Sequence, residues 1–233
     1  MGSVSEDALK FIKSNRKLVI TTFADSRIYP KTEKPFTIFM AGSPGAGKTE
    51  FSKTLIKELL ARGDVSNIVR IDADDIRRLI PQYKGCNSAE VQSASIKGVQ
   101  ILFDHVQDHD QNVIVDGTFA HFETSRKDVE RAINKGRGVE IMYLYQDATI
   151  AWHFTKIREA VEGRCVTKEV FIDAYFKAVN NVTRIKQIYG SKLKLNLIIK
   201  NYKNELQKTY FNIDQIDSYI KEKYTIEDLT SKL

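Results

Sequence analysis

The sequence predicts an α/β fold, a five-stranded parallel sheet flanked by helices, and two observations carry that expectation. Short apolar runs rich in β-branched and aromatic residues recur along the chain, and between them lie longer stretches whose apolar residues repeat at helical spacing. A crossover helix returns each strand in the same direction as the last, so this alternation builds a parallel sheet covered on both faces. The chain has 233 residues, 42% hydrophobic and 28% charged, with only 4 Pro. That balance excludes collagen-like, Pro-rich and wholly disordered chains, and a polypeptide of this length buries a core without staples.

Taken in order, residues 1–34 are expected to form an N-terminal helix and connector, with Ala8, Leu9, Phe11 and Ile12 on one helical face and a mixed stretch through Tyr29 and Pro30. They should pack on a main domain of residues 35–233. Strands are expected at residues 36–40, 68–71, 113–115, 139–143 and 195–199. Helices are expected at residues 50–62, 91–109 and 125–135, and across a broad region at 149–189 that Gly163 interrupts. Asp72 is expected to cap a helical turn at 75–79. A terminal helix is expected at 213–224, with Ile216 and Ile220 on one face. No repeat, low-complexity tract or Ser/Gly linker marks a second domain.

Composition also narrows the partners. Cys86 and Cys165 stand apart with no ligand spacing, so neither disulfides nor zinc should build the fold, and a reduced cytoplasmic compartment is the expectation. No apolar run approaches the ~20 residues that span a bilayer, and the first residues lack the plan of a signal peptide; a membrane is not an expected partner. Whether Met1 to Ser3 are native stays open. The net charge of +6 favours anionic ligands. Lys192-Leu193-Lys194 is too short a basic run to suggest nucleic acid. His105 and His109, at i and i+4, lack a third metal ligand, and Tyr143, Trp152 and Phe154 are expected in the core.

The chemistry concentrates after the first strand. Gly42-Ser43-Pro44-Gly45-Ala46-Gly47-Lys48-Thr49 matches G-x-x-x-x-G-K-[ST] at every fixed position, and it joins a strand to an amphipathic helix as that motif requires. Glycines let the backbone wrap a phosphate chain with its N–H groups turned inward, and the helix start adds partial positive charge. Lys48 should meet the β- and γ-phosphates of ATP, and Thr49 should ligate Mg²⁺. A GTPase would carry a guanine-reading N-K-x-D; Asn134-Lys135-Gly136-Arg137 lacks the Asp.

Ligands collect at the carboxyl ends of parallel strands. Asp72-Ala73-Asp74-Asp75 and Asp116-Gly117-Thr118 both follow predicted strands. Carboxylates there orient Mg²⁺ or take a proton from an attacking hydroxyl, and Asp74 is the better base. Downstream, Arg158 lies in a helical pattern and Arg164 follows the break at Gly163, where cationic side chains suit a transferred phosphoryl group.

These segments together, G-S-P-G-A-G-K-T, I-D-A-D-D-I-R, V-D-G-T-F, K-I-R and G-R-C-V, resemble the zeta toxin family of P-loop kinases, in order from about Pro35 to Ile199. The resemblance implies a P-loop kinase-like core with helical additions at both ends. It also implies ATP and Mg²⁺, a nucleotide sugar such as UDP-N-acetylglucosamine as small-molecule acceptor, and an antitoxin protein that blocks the ATP site. Carried over, it puts Lys48 and Thr49 at ATP–Mg²⁺, Asp74 as base, Asp116 and Thr118 near metal or substrate, and Arg158 and Arg164 on the phosphates. Two positions depart from the pattern: Gln100 stands where a substrate-binding acidic residue is expected, and Ala120 replaces a basic one. A nucleoside, dinucleotide, antibiotic or nucleic-acid 5′-hydroxyl as acceptor stays open, as does an ATP-switched binding module without turnover.

Overall fold

A computed structural model of the protein describes residues 3–233 apart from 164, 202, 204, 221 and 222, and apart from the side chain of residue 162. Five parallel strands appear where the apolar runs predict them: β1 (Phe36–Ala41), β2 (Val69–Asp72), β3 (Val113–Asp116), β4 (Gly138–Tyr145) and β5 (Lys194–Lys200). The sheet has six strands, not five, in the order β2-β3-β1-β4-β5-β6. The addition, β6 (Leu206–Tyr210), pairs antiparallel with β5. None of its residues is buried, so it carries no apolar alternation; its ladder to β5 holds it in place.

Central β1 explains the near-continuous apolar run. Ile38 and Met40 face a smaller cluster under α3 (Lys48–Ala61), while Phe39 and Ala41 face the larger core on the other side. That larger core is closed by α5 (Gln92–Asp108), α6 (Phe122–Asn134) and α8 (Lys168–Tyr189). Between β2 and α5 lies a short helix, α4 (Ala73–Arg77), and between β4 and α8 lies α7 (Ala148–Glu162). Gly163 ends α7 with φ 69°, at the predicted break.

The chain ends differ from expectation in instructive ways. The N-terminal segment makes two helices, α1 (Val4–Ser14) and α2 (Arg16–Phe23). The Ser3 hydroxyl accepts from Glu6 N–H and the Glu6 carboxylate accepts from Ser3 N–H, a reciprocal cap for α1. Ala8, Ile12 and Val19 are buried there. The helix expected at 213–224 does not form among the described residues. Ile213 N–H instead donates to the Leu195 carbonyl of β5 at 2.8 Å, which ties the chain to the sheet, and Ile213 and Ile216 fill the core singly. The terminal helix is α9 (Ile226–Lys232), started by a reciprocal cap between Thr225 and Asp228. Among the described residues no helix is long and apolar enough to cross a membrane.

Candidate active site

Residues 42–47 leave the end of β1 and turn into α3. Gly42 has φ 136°, and a Cβ there would stand 2.4 Å from the Leu144 carbonyl oxygen. Gly45 has φ 73°, and its Cβ would stand 1.9 Å from the Ala151 carbonyl oxygen. Both obstacles are backbone and cannot swing aside, so the loop closes only with glycine. Ser43 and Ala46 are buried, Pro44 is partly exposed, and Gly47 is the N-cap of α3. Lys48 Nζ lies back across the loop, donating to the carbonyls of Gly42 at 2.9 Å and Ser43 at 2.7 Å. The first N–H groups of α3, which point out of the helix end, and this ammonium make an anion site.

The loop forms one wall of a cavity of about 330 Å³ at the carboxyl ends of β1, β2 and β3. Lys48 and Thr49 line it on the loop side, Asp74 and Arg77 from α4, Asp116 at the end of β3, Thr118 just after it, and Arg158 from α7. Asp74 therefore meets the phosphate loop across open space. It accepts a hydrogen bond from Arg77, which also donates to Gln92, and Arg158 Nη2 stands 3.7 Å from Asp74 Oδ2. An ion pair thus joins α4 to α7 over the cavity.

Local sequence explains the placement. Asp72 caps α4, accepting from Asp74 N–H at 2.8 Å, which starts the helix one residue before Asp74. Asp147 caps α7 through Thr149 and Ile150, and Tyr224 Oη donates to it at 2.5 Å. After β3, Phe119 adopts φ 64° and its carbonyl accepts from the buried Asn181 amide at 2.9 Å. The strained turn is thereby held from α8, and it sets the loop that follows Asp116 and carries Thr118.

Asp72 and Asp116 are in register across β2 and β3. Burial, with Asp116 and Asp74 beside it, pushes the Asp72 carboxyl up to about 6, and Arg70 opposes that rise. The Thr49 hydroxyl and the Asp116 carboxylate are the hard oxygen donors that Mg²⁺ prefers, so the donor set fits that ion.

The structure does not bring Gln100 to this cavity. Gln100 is exposed on α5, and Gln92, at the end of that helix nearest the strand ends, lines the wall instead. An α-helix advances ~1.5 Å per residue, so Gln100 lies roughly 12 Å further along α5. Phe154, expected in the core, lines the cavity, whereas Tyr143 is buried and Trp152 packs edge-on against Phe171 at 5.2 Å. The His105 and His109 rings meet at a 31° tilt, with centroids 3.9 Å apart, and His105 Nε2 faces the Ala24 carbonyl. Arg164 lies outside the described residues. Arg70, Arg77 and Gln92 are given no role in the sequence reading; Arg77 closes the segment I-D-A-D-D-I-R, and Arg70 is a lone cation inside an apolar strand on the same face as Asp72.

A family model described as zeta toxin matches residues 20–211. The chain belongs to the zeta toxin family. Its parallel sheet and phosphate loop give it the P-loop kinase fold common to that family. Among solved structures it resembles one from the PezAT chromosomal toxin–antitoxin system of Streptococcus pneumoniae, at 19% identity and a TM-score of 0.64, over 88% of this chain and 80% of that one. It also resembles AvrRxo1-ORF1:-ORF2 with ATP, at 14% identity and a TM-score of 0.61, over 88% of this chain and 65% of that one. At such identities the likeness is one of fold. No curated protein matches the sequence.

Proposed function

We propose that this protein is a kinase that moves the γ-phosphoryl group of ATP onto a hydroxyl of a small molecule, most simply a nucleotide sugar such as UDP-N-acetylglucosamine, and acts as a toxin of the zeta type. One observation carries the proposal: a single cavity has Lys48 and Thr49 at the start of α3 on one side and Asp74 on the other. A phosphate donor on the loop and an acceptor hydroxyl beside Asp74 would face each other.

In this reading the loop N–H groups hold the phosphates, and Lys48 exchanges the Gly42 and Ser43 carbonyls for phosphate oxygens. Asp74 accepts the proton of the acceptor hydroxyl as its oxygen bonds to phosphorus, while the bond to the β-phosphate oxygen breaks. Arg77 orients Asp74, and Arg158 is close enough to pass from Asp74 to the transferred group, where positive charge stabilises the transition state. Arg164 is assigned the same role from sequence alone. Mg²⁺ bound with ATP, held by Thr49 and by Asp116 through water, would supply charge neutralisation. Thr118 and Gln92 complete the acceptor wall. Gln92 with Arg77, rather than a carboxylate, is the observation that favours another acceptor, such as a nucleoside, dinucleotide or antibiotic. The toxin–antitoxin origin of a structural neighbour supports an antitoxin protein as partner.

The test is incubation with Mg²⁺-ATP and a panel of nucleotide sugars, followed by mass spectrometry of the products. We expect one phosphorylated sugar nucleotide, with turnover lowered at least ~100-fold in Asp74→Asn and ATP affinity kept within about threefold. No transfer to any nucleotide sugar removes that acceptor class. Undiminished transfer by Asp74→Asn removes the base assignment, and ATP binding without transfer to any acceptor leaves the switch module.

A further inference from the structure

Arg70 is the second residue of β2, and its side chain is only 12% exposed. Its guanidinium gathers three carboxylates. It donates to Asp72 on its own strand, to Asp75 of α4 at 2.5 Å and to Asp116 of β3 at 3.1 Å. Nε donates to the Ser52 hydroxyl of α3 at 3.1 Å, and that hydroxyl stands 3.2 Å from Asp116 Oδ2 and 3.0 Å from the Thr49 carbonyl. Four elements, β2, β3, α3 and α4, are therefore tied to one cation directly beneath the phosphate-loop helix.

Both contacts to Asp116 fall on the same oxygen. Oδ2 receives Arg70 and Ser52, while among the described residues Oδ1 accepts no hydrogen bond. One arm of the guanidinium fork, Nη2, reaches Asp116, while Nη1 on Asp75 and Nε on Ser52 fix the plane of the fork; with the Ser52 hydroxyl on the same oxygen, Asp116 Oδ2 is held from two directions, which a lysine ammonium would not enforce. Three carboxylates this close repel one another, and the guanidinium between them offsets that repulsion and holds them together.

We propose that Arg70 is a positioning residue for the metal-bearing side of the cavity: it pins Asp116 through Oδ2 and leaves Oδ1 alone to receive the hydrated cation that accompanies ATP. The inference rests on the proposed kinase reading only in taking Asp116 as the carboxylate that meets the cation. Outer partners of metal-facing groups typically govern metal affinity by 10–100-fold, a range that sets the expected effect.

The experiment follows Mn²⁺ as a paramagnetic probe by electron spin resonance, in the protein with and without ATP, alongside calorimetric melting. Arg70→Lys keeps the charge and removes the fork. It should weaken Mn²⁺ binding to the ATP complex at least tenfold while metal-free ATP affinity, measured with chelator, stays within about threefold. Asp75→Asn, at a partly exposed position, loosens one arm of Arg70 and should weaken Mn²⁺ by a smaller factor in a protein that folds normally. A purely structural Arg70 would lower the melting temperature and leave Mn²⁺ affinity in the folded variants unchanged; that result overturns the proposal. The kinase reading fails separately: wild-type protein that binds Mn²⁺ with ATP yet transfers no phosphoryl group ends that reading and leaves the role of Arg70 standing. Wild-type protein that binds no Mn²⁺ with ATP ends both.

Discussion

At Gly45 two constraints act on one atom, a left-handed backbone and the approach of the α7 carbonyl of Ala151. Gly136 shares the first constraint, with φ 70°, but a Cβ there meets nothing within 4 Å. The pair therefore separates strain from collision. Gly136→Ala should cost about 1 kcal/mol, the ordinary penalty for a side chain in that region. Gly45→Ala should cost roughly 2–4 kcal/mol, because the loop or α7 must move, and it should also lose ATP binding. Calorimetry and ATP titration of the two variants check this, and equal costs would mean that α7 yields freely. The same residues show what a sequence discloses. Gly42 to Thr49 are legible because the loop's conformation is set by its own backbone. Asp74 is legible because it follows a strand. Arg70 is not, since its partners Ser52 and Asp116 arrive from other elements, and only the parallel register brings them within reach. Gln100 fails for a related reason: counting back from Asp116 fixes a position in the chain but neither the turn of α5 nor its distance from the strand ends.

Helices were legible where one face is apolar and an end carries a cap. α8 is such a case, with Phe171, Ala178, Val182 and Ile185 buried along one face and the Thr167 hydroxyl accepting from Val170 N–H at its start. Residues 213–224 offered apolar spacing without a cap, and the hydrogen bond from Ile213 to β5 outweighed it. β6 offered neither signal. One charge on α6 was not silent in energy: Asp128 has a carboxyl pushed up to about 6, first by burial, then by Asp104, with Arg131 opposing. In the folded protein it holds a proton that the unfolded chain, with the ordinary value of 3.8, has already released. Its contribution to stability is thus fully present below about 3.8 and is lost as pH rises to about 6. Asp128→Asn should remove that loss, flattening stability between those limits and raising it at pH 7 by ~1 kcal/mol once partial exposure is allowed for. Chemical denaturation at pH 4 and pH 7 measures both. A variant that kept the wild-type slope would assign the pH dependence to other groups, with Asp72 the first to examine.

Over the whole molecule the net charge of +6 would seem to invite nucleic acid, and a 5′-hydroxyl is among the acceptors that a P-loop kinase could take. The distribution of charge argues otherwise. Around the cavity Arg70 is spent on Asp72, Asp75 and Asp116, while Arg77 and Arg158 both face Asp74. Apart from Lys48, which lies on the loop carbonyls, the described cations around the cavity are thus matched to carboxylates of the same site. A polyanion tracking across this mouth would meet Asp74 and Asp75 as well as the arginines, and it would gain little from releasing its counterions. A small acceptor carries few charges and releases few. We therefore expect kcat/KM for the true acceptor to change less than about threefold between 50 and 200 mM salt, whereas an oligonucleotide held by 6–10 phosphates would lose ~10³-fold or more. We also expect oligonucleotides at micromolar concentration not to inhibit transfer. Steady-state rates at the two salt concentrations decide the matter. A steep fall, with inhibition by oligonucleotide that salt relieves, would show that the surface surplus reaches the mouth and would move the acceptor to the nucleic-acid class.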